Sequence, residues 1–203
     1  MSGERKPGLA AVVPAAGLSR RMGSEKVLLP FGRATVLETN LETLAAAGVA
    51  EVVTVLRPDL TEAAERARRR GARVVFNPHP EGEMLESIRL GLGAIAPGAP
   101  GAFLWPADHP AVAAGTIATL ARFAHPALAL IPCWQSRRGH PALIGRKLFS
   151  AIGGIPPGEG LRHLWRTHPD AVVEFSVEDP GTVQNVDTPE DYRKALERKP
   201  LGS

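Results

Sequence analysis

Leu9-Ala-Ala-Val-Val-Pro14, running straight into Ala15-Ala16-Gly17-Leu18-Ser19-Arg20-Arg21-Met22-Gly23-Ser24-Glu25-Lys26, is the stretch from which the rest of the chain is read. A short apolar run closed by a proline fits a buried strand. The twelve residues that follow are rich in Gly, Ser and Arg and carry no apolar period. An irregular loop of that length is uncommon in a compact domain unless it has work to do. A helix is then well signalled. Thr35 and Glu38 have the capping-box spacing, Leu37, Leu41 and Leu44 share one face, and Gly48 stops the run.

The same alternation continues outward. Residues 51 to 56, 72 to 76, 102 to 106, 128 to 133 and 172 to 177 read as strands. Residues 59 to 70 read as a polar helix opened by Asp59 with Glu62 and closed by Gly71. Met84, Leu85, Ile88 and Leu92 mark a further helix, and another is expected near 112 to 123. Thr188-Pro189-Glu190-Asp191 is a helix start, with an N-cap, proline at the first helical position and acids in the first turn. Short apolar runs alternating with helical patterns predict a layered α/β domain. Neither an internal repeat nor a separating linker is visible, so residues 1–203 are expected to form a single domain, with 1–8 and 199–203 as flexible tails.

Composition narrows the function classes. At 44% hydrophobic and 22% charged residues, the 203-residue chain is neither disordered nor fibrous in character. No apolar run approaches eighteen residues and the first eight are polar, so no membrane partner is expected and the expected location is the cytoplasm. The single cysteine, Cys133, cannot pair internally, which agrees with a reducing compartment. The net charge of +3 is carried by nineteen arginines and five lysines. Arginine binds phosphate in a bidentate fork, which fits nucleic acid or nucleotides alike. Aromatics are only 5% and are not interleaved with basic residues, so nucleic acid is the weaker of the two.

Three segments carry candidate chemistry because each follows the carboxyl end of a strand, where open α/β sheets place ligands. In the first, small residues admit backbone amides close to an anion, and Arg20, Arg21 and Lys26 supply positive charge. It is not a Walker A loop, since Gly23 is followed by Ser24 instead of Lys. The other reading of these residues is a surface loop with solvated arginines. The second is Asp108 within Trp105-Pro-Ala-Asp-His-Pro110, a carboxylate suited to Mg²⁺ beside a triphosphate, although the same position suits a turn residue or helix cap. The third is Asp187 in Asn185-Val-Asp, which either binds metal or complements the dipole of the helix that follows.

Taken together these segments resemble the MobA-like nucleotidyltransferase superfamily, most closely the molybdenum cofactor cytidylyltransferases. The resemblance rests on residues 14 to 23 with Lys26, on residues 105 to 110, on Arg138-Gly-His-Pro141, and on Asn185-Val-Asp-Thr-Pro-Glu-Asp191. It implies a three-layer α/β/α Rossmann-like fold with a mixed sheet, of the nucleotide-diphospho-sugar transferase type. It also implies transfer of a nucleoside monophosphate from an NTP to a phosphorylated small-molecule acceptor. Carried over by position, Arg21, Lys26, Asp108 and Asp187 would be catalytic, with Asp108 and Asp187 holding Mg²⁺. Ala15, Ala16, Gly17, Ser19, Arg20, Arg21, Gly23, Lys26 and Ser87 would bind nucleotide, and Gly139, His140 and Arg162 the acceptor. Ala15-Ala16-Gly17 in the signature goes with CTP rather than GTP, and the implied acceptor is a molybdopterin-type cofactor. A transient contact with a molybdoenzyme or chaperone follows from the same implication.

Two departures from the family pattern bear on the acceptor. Glu83-Met84-Leu85-Glu86-Ser87 carries an acid where glycine is usual, and Pro157-Gly-Glu-Gly-Leu-Arg162 has its acid displaced by one. The alternatives at this level are a less anionic acceptor or a sugar or polyol phosphate, another NTP, and a nucleotide-binding module without catalysis. Other signals carry less. Gly91-Leu-Gly93-Ala-Ile-Ala96 fits a dinucleotide fingerprint as a string but ends a helical pattern instead of linking a strand to a helix. Arg68, Arg69 and Arg70 lie where cations offset a helix dipole. Five of the six histidines precede proline, which places them in loops, and only His140 is kept as a site residue.

Overall fold

A computed structural model describes residues 8–18, 22, 25–79 and 82–198. Strand β1 (Ala10–Pro14) sits inside the main sheet, and its five residues are all buried. It pairs in parallel with β4 (Glu51–Leu56) on one side and with β6 (Gly101–Leu104) on the other. The short hairpin β2 (Pro30–Phe31) and β3 (Ala34–Thr35) precedes helix α1 (Val36–Ala46). Helix α2 (Thr61–Arg69) leads to β5 (Arg73–Phe76), the outer strand next to β4, and α3 (Met84–Ala94) leads into β6. After α4 (Ala114–Arg122) come β7 (Ala129–Trp134), β8 (Arg137–Arg138) and β9 (Ala142–Gly145). Short helices α5 (Phe149–Gly153) and α6 (Arg162–Thr167), strand β10 (Val172–Ser176) and helix α7 (Pro189–Arg198) complete the chain.

The main sheet runs β10-β7-β9-β6-β1-β4-β5, with β8 paired to β7. All of it is parallel except β9, which runs against both β6 and β7, and the β8 hairpin strand. Alternate residues of one strand feed two cores. Ala11 and Val13 pack with Leu37, Leu41, Ala63, Ile117 and Leu120, placing α1, α2 and α4 on one face. Ala10 and Val12 pack with Leu85, Ile88, Ile152 and Leu164, placing α3, α5 and α6 on the other. This is the expected three-layer α/β/α arrangement with a mixed sheet. A third cluster of Phe31, Val36, Val186 and Ala195 holds α7 against the β2–β3 hairpin.

Local details sort the sequence signals. The Thr35–Glu38 capping box forms, with the Glu38 amide donating to Thr35 Oγ1 at 3.2 Å and the Thr35 amide to Glu38 Oε2 at 3.1 Å. Thr188 and Asp191 form a second box at the start of α7. The expected Asp59–Glu62 cap does not form. Leu60 is the N-cap of α2, and Asp59 is taken instead by the Arg57 guanidinium. Helix α4 begins at Ala114, later than expected, and is capped from a distance: Asp179 accepts from the Ala113 amide at 2.9 Å and the Thr116 hydroxyl at 2.7 Å.

Gly91 explains the discounted glycine string. It lies within α3, where an added Cβ would collide with the Val12 side chain, so the glycine lets helix and strand approach closely. Of the expected tails, Gly8 packs against Ala50 and the remaining residues lie outside those described. Among the described residues, no helix is long and apolar enough to cross a membrane.

Candidate active site

Where β1 ends, the chain turns under the control of β4. The Ala15 amide donates to the Val55 carbonyl at 2.8 Å, and Arg57, just past β4, reaches back into the loop. The Arg57 side chain is only 7% exposed, donates to the Gly17 carbonyl at 2.9 Å, and forms ion pairs with Glu25 and Asp59. One guanidinium therefore fastens both ends of the loop. Ser19, Arg20, Arg21 and Gly23 lie outside the described residues. Lys26 opens a 3-10 turn, Lys26–Leu28, that returns the chain toward the sheet.

Lys26 Nζ is the point on which the site converges. Asp187 Oδ1 lies 2.6 Å from it and Asp108 Oδ2 3.5 Å from it. The two acids are brought together by backbone, since the Val186 amide donates to the Asp108 carbonyl at 2.8 Å. From α1, the Asn40 side chain donates to the Ala107 carbonyl at 3.0 Å. Each carboxylate is tied back by its other oxygen: Asp108 Oδ1 lies 2.8 Å from His109 Nδ1, and Asp187 Oδ2 accepts from Asn185 Nδ2 at 2.9 Å.

Burial alone would raise the Asp108 carboxyl. The His109 hydrogen bond, with the charges of His109, Lys26 and His140, overrides burial and holds its pKa down to about 2. Asp108 is thus a carboxylate at neutral pH and can only accept from His109, so Nδ1 carries the imidazole proton. For His140 burial dominates, followed by the charge of His109, and its pKa falls to about 4, which leaves a neutral ring. The His109 and His140 rings meet edge to face at a centroid distance of 4.8 Å. His140 Nδ1 is buried with no hydrogen-bond partner among the described residues.

Two adjoining cavities frame these groups. The smaller, about 490 Å³, is lined by Ala15, Gly17, Lys26, Asp108 and Asp187. The larger, about 920 Å³, has apolar walls that include Ile88, Ile131 and Trp165, and polar groups that include His140, Arg138 and Arg162. Met84, at the start of α3, lines both. The expected acceptor residues Gly139, His140 and Arg162 therefore share one cavity, beside the one that holds the carboxylates. Gly139 sits so close to the Thr182 carbonyl that a Cβ would not fit.

Two nucleotide candidates do not reach either cavity. Ala16 is buried, and the buried Ser87 hydroxyl accepts from Asn77 Nδ2 at 3.0 Å. The residues that departed from the pattern also have assignments. Glu83 Oε1 accepts from the Gly158 amide at 2.7 Å, so it braces the 157–160 loop across the cavity. From the same helix, Arg89 donates to the Ile152 carbonyl at 3.3 Å and the Ile155 carbonyl at 2.5 Å. Cys133 is buried on β7 with its thiol pushed up, chiefly by burial, and takes no part.

Sequence reasoning missed His109 and Arg57. His109 precedes proline like four other histidines and so reads as a loop residue, and its adjacency to Asp108 is the available signal. Nothing in the sequence around Arg57 points to the loop forty residues earlier.

The model of the MobA-like NTP transferase domain matches residues 11–172, a stretch that holds Lys26, Asp108 and His140. The chain belongs to the MobA-like NTP transferase family. Asp187 lies beyond the matched stretch. Among relatives of known name, the chain is 29% identical over 199 residues to nicotine blue oxidoreductase of Paenarthrobacter nicotinovorans, covering 94% of this chain and 97% of that one. It is 25% identical over 188 residues to the molybdenum cofactor cytidylyltransferase of Escherichia coli strain K12, covering 92% and 95%. Of solved structures, Rv0371c of Mycobacterium tuberculosis superposes with a TM-score of 0.81 at 28% identity, covering 95% of this chain and all of that one. A manganese complex of the same mycobacterial protein superposes at 0.78.

Proposed function

We propose that this MobA-like domain, a single unit over residues 1–203, is a nucleotidyltransferase that moves CMP from CTP to the phosphate of a molybdopterin-type cofactor and releases pyrophosphate. The observation that carries the reading is the convergence of Lys26, Asp108 and Asp187 on one point in the smaller of two adjoining cavities. An acceptor phosphate oxygen attacks the α-phosphorus, the bond from that phosphorus to the bridging oxygen breaks, and pyrophosphate leaves. Such a reaction needs position and charge more than covalent help. Lys26 would neutralise phosphate oxygens, while the amides of the small-residue loop approach them closely.

A divalent ion fits the donor set. Two carboxylates each present one oxygen toward a cation, and magnesium takes one or two protein oxygens and fills its other positions with phosphate and water. Asp108 and Asp187 would hold it, and it would supply charge neutralisation at the phosphates. The manganese complex of the mycobacterial relative is in keeping with a divalent ion. The preference for CTP rests on Ala15-Ala16-Gly17 and on the name of the Escherichia coli relative.

A second reading is favoured by one observation: the Paenarthrobacter relative, matched nearly end to end, is named an oxidoreductase. The experiment that separates them is pyrophosphate release with each of four NTPs, Mg²⁺ and a panel of pterin, sugar and polyol phosphates, run beside reduction of nicotine blue by an added two-electron donor, a reduced nicotinamide nucleotide. The expected result is release that needs CTP and a pterin phosphate and is lost in Asp108→Asn, with the fold unchanged by circular dichroism. Dye reduction without NTP consumption would overturn the transferase reading.

A further inference from the structure

The two acids are held by unlike partners, and one of those partners, His109, touches Asp108 of one cavity's lining and His140 of the other's. We infer that His109 is a positioning residue for the proposed reaction: it fixes the Asp108 carboxylate so that one oxygen faces the cation and the other is withheld. The inference rests on Asp108 being a metal ligand, as proposed above.

Asp108 Oδ1 accepts from His109 Nδ1 at 2.8 Å while Oδ2 points to Lys26 at 3.5 Å, so rotation about the last side-chain bond is opposed from both sides. His109 is itself immobilised. It is buried, its carbonyl accepts from the Trp105 indole N–H at 3.2 Å, and Trp105 is wholly buried. Its ring is braced by the edge of His140 at 4.8 Å, and the His140–Pro141 segment is tied down through the His140 amide, which donates to the Thr182 carbonyl at 2.7 Å.

Outer hydrogen bonds of this kind set the direction of a ligating oxygen, and their loss generally costs about 10- to 100-fold in metal affinity. Asn185 does the same for Asp187 from a flexible amide two residues away. His109 differs because its ring is also packed against His140, which lines the larger cavity.

The test is direct Mn²⁺ binding, followed by electron paramagnetic resonance of the free ion, on the full chain without nucleotide. His109→Leu removes the donor. His109→Asn keeps an N–H at the δ position on a shorter side chain and serves as the rescue. Asp108→Asn is the reference for a lost ligand, and thermal melting accompanies every variant. The expected result is a 10- to 100-fold weaker Mn²⁺ affinity in His109→Leu, largely restored in His109→Asn, with kcat lowered more than the KM for CTP. His109→Leu binding Mn²⁺ like wild type while Asp108→Asn does not would overturn the role of His109 alone. Unchanged binding in Asp108→Asn would instead overturn the metal-site reading on which it rests. If His109→Leu fails to fold, the Asn variant decides: it must bind Mn²⁺ within a few-fold of wild type, and a 100-fold loss there refutes the hydrogen-bond account.

Discussion

Replacing Arg57 by alanine separates the role of the loop's anchor from that of the residues proposed to touch phosphate. The guanidinium is 7% exposed and holds the Gly17 carbonyl, Glu25 and Asp59 at once. Removing one member of a fully buried pair costs about 3–5 kcal/mol, but Glu25 and Asp59 are exposed enough to regain water, so about 2 kcal/mol is expected. For a chain of this length that lowers Tm by roughly 4–8 °C. The freed Gly17 backbone must then be ordered again on binding, at about 1–2 kcal/mol, which corresponds to a nucleotide affinity roughly tenfold weaker. Arg57→Lys keeps the charge without the fork, so it should recover part of the stability and little of the affinity. Scanning calorimetry and titration calorimetry with CTP and Mg²⁺ measure the two quantities. A variant with lowered Tm and unchanged affinity would refute the claim that Arg57 organises the binding loop, and a variant unchanged in both would refute the ion pairs themselves.

Two further outcomes follow from packing and charge. Burial would raise the Glu38 carboxyl, but the bonds from Thr35 and the charges of Arg66 and Arg70 hold its pKa below the usual value of 4.5. A depressed folded pKa stabilises above the unfolded value and is lost as pH falls through the folded one. The Tm gap between wild type and Glu38→Gln should therefore be full at pH 7 and shrink steadily below about pH 4.5; a gap independent of pH would count against it. Gly91→Ala places a methyl into the stiff Val12 side chain. Overpacking should exceed the gain in helix propensity by about 1 kcal/mol, and a rise in Tm would show that α3 can retreat from β1.

The parts of this fold that were legible in the sequence are those fixed by neighbours in the chain. The β1–α1–β4–α2–β5 succession shows in apolar periodicity, and the Thr35–Glu38 and Thr188–Asp191 boxes lie within one helical turn. Other features depend on distant partners. Asp179 caps α4 across sixty-six residues, and Asp59, free to cap by its position, is claimed by the stronger cation at Arg57. Strands β8 and β9 leave little trace in the sequence because they are two and four residues long and the turn before β8 is made by Gln135 and Ser136 at positive φ, without the glycine that marks such turns. The site divides the same way. Asp108, Asp187 and Lys26 are announced by what surrounds each of them, whereas the hydroxyl of Ser87, expected at the nucleotide, is used to tie α3 to Asn77.

The reversed course of β9 has a consequence for how this scaffold changes. Because Ala142 pairs with Leu104, β9 presents its beginning at the edge where β1 and β6 present their ends. Gly17 and Asp108 thus lie on segments that leave strands, and His140 belongs to a segment that enters one. On the proposed reading, insertions or substitutions before β9 would remodel the acceptor cavity without altering the register of the strands that lead into residues 15–26 and Asp108. A lineage could exchange acceptors this way while retaining the proposed donor machinery.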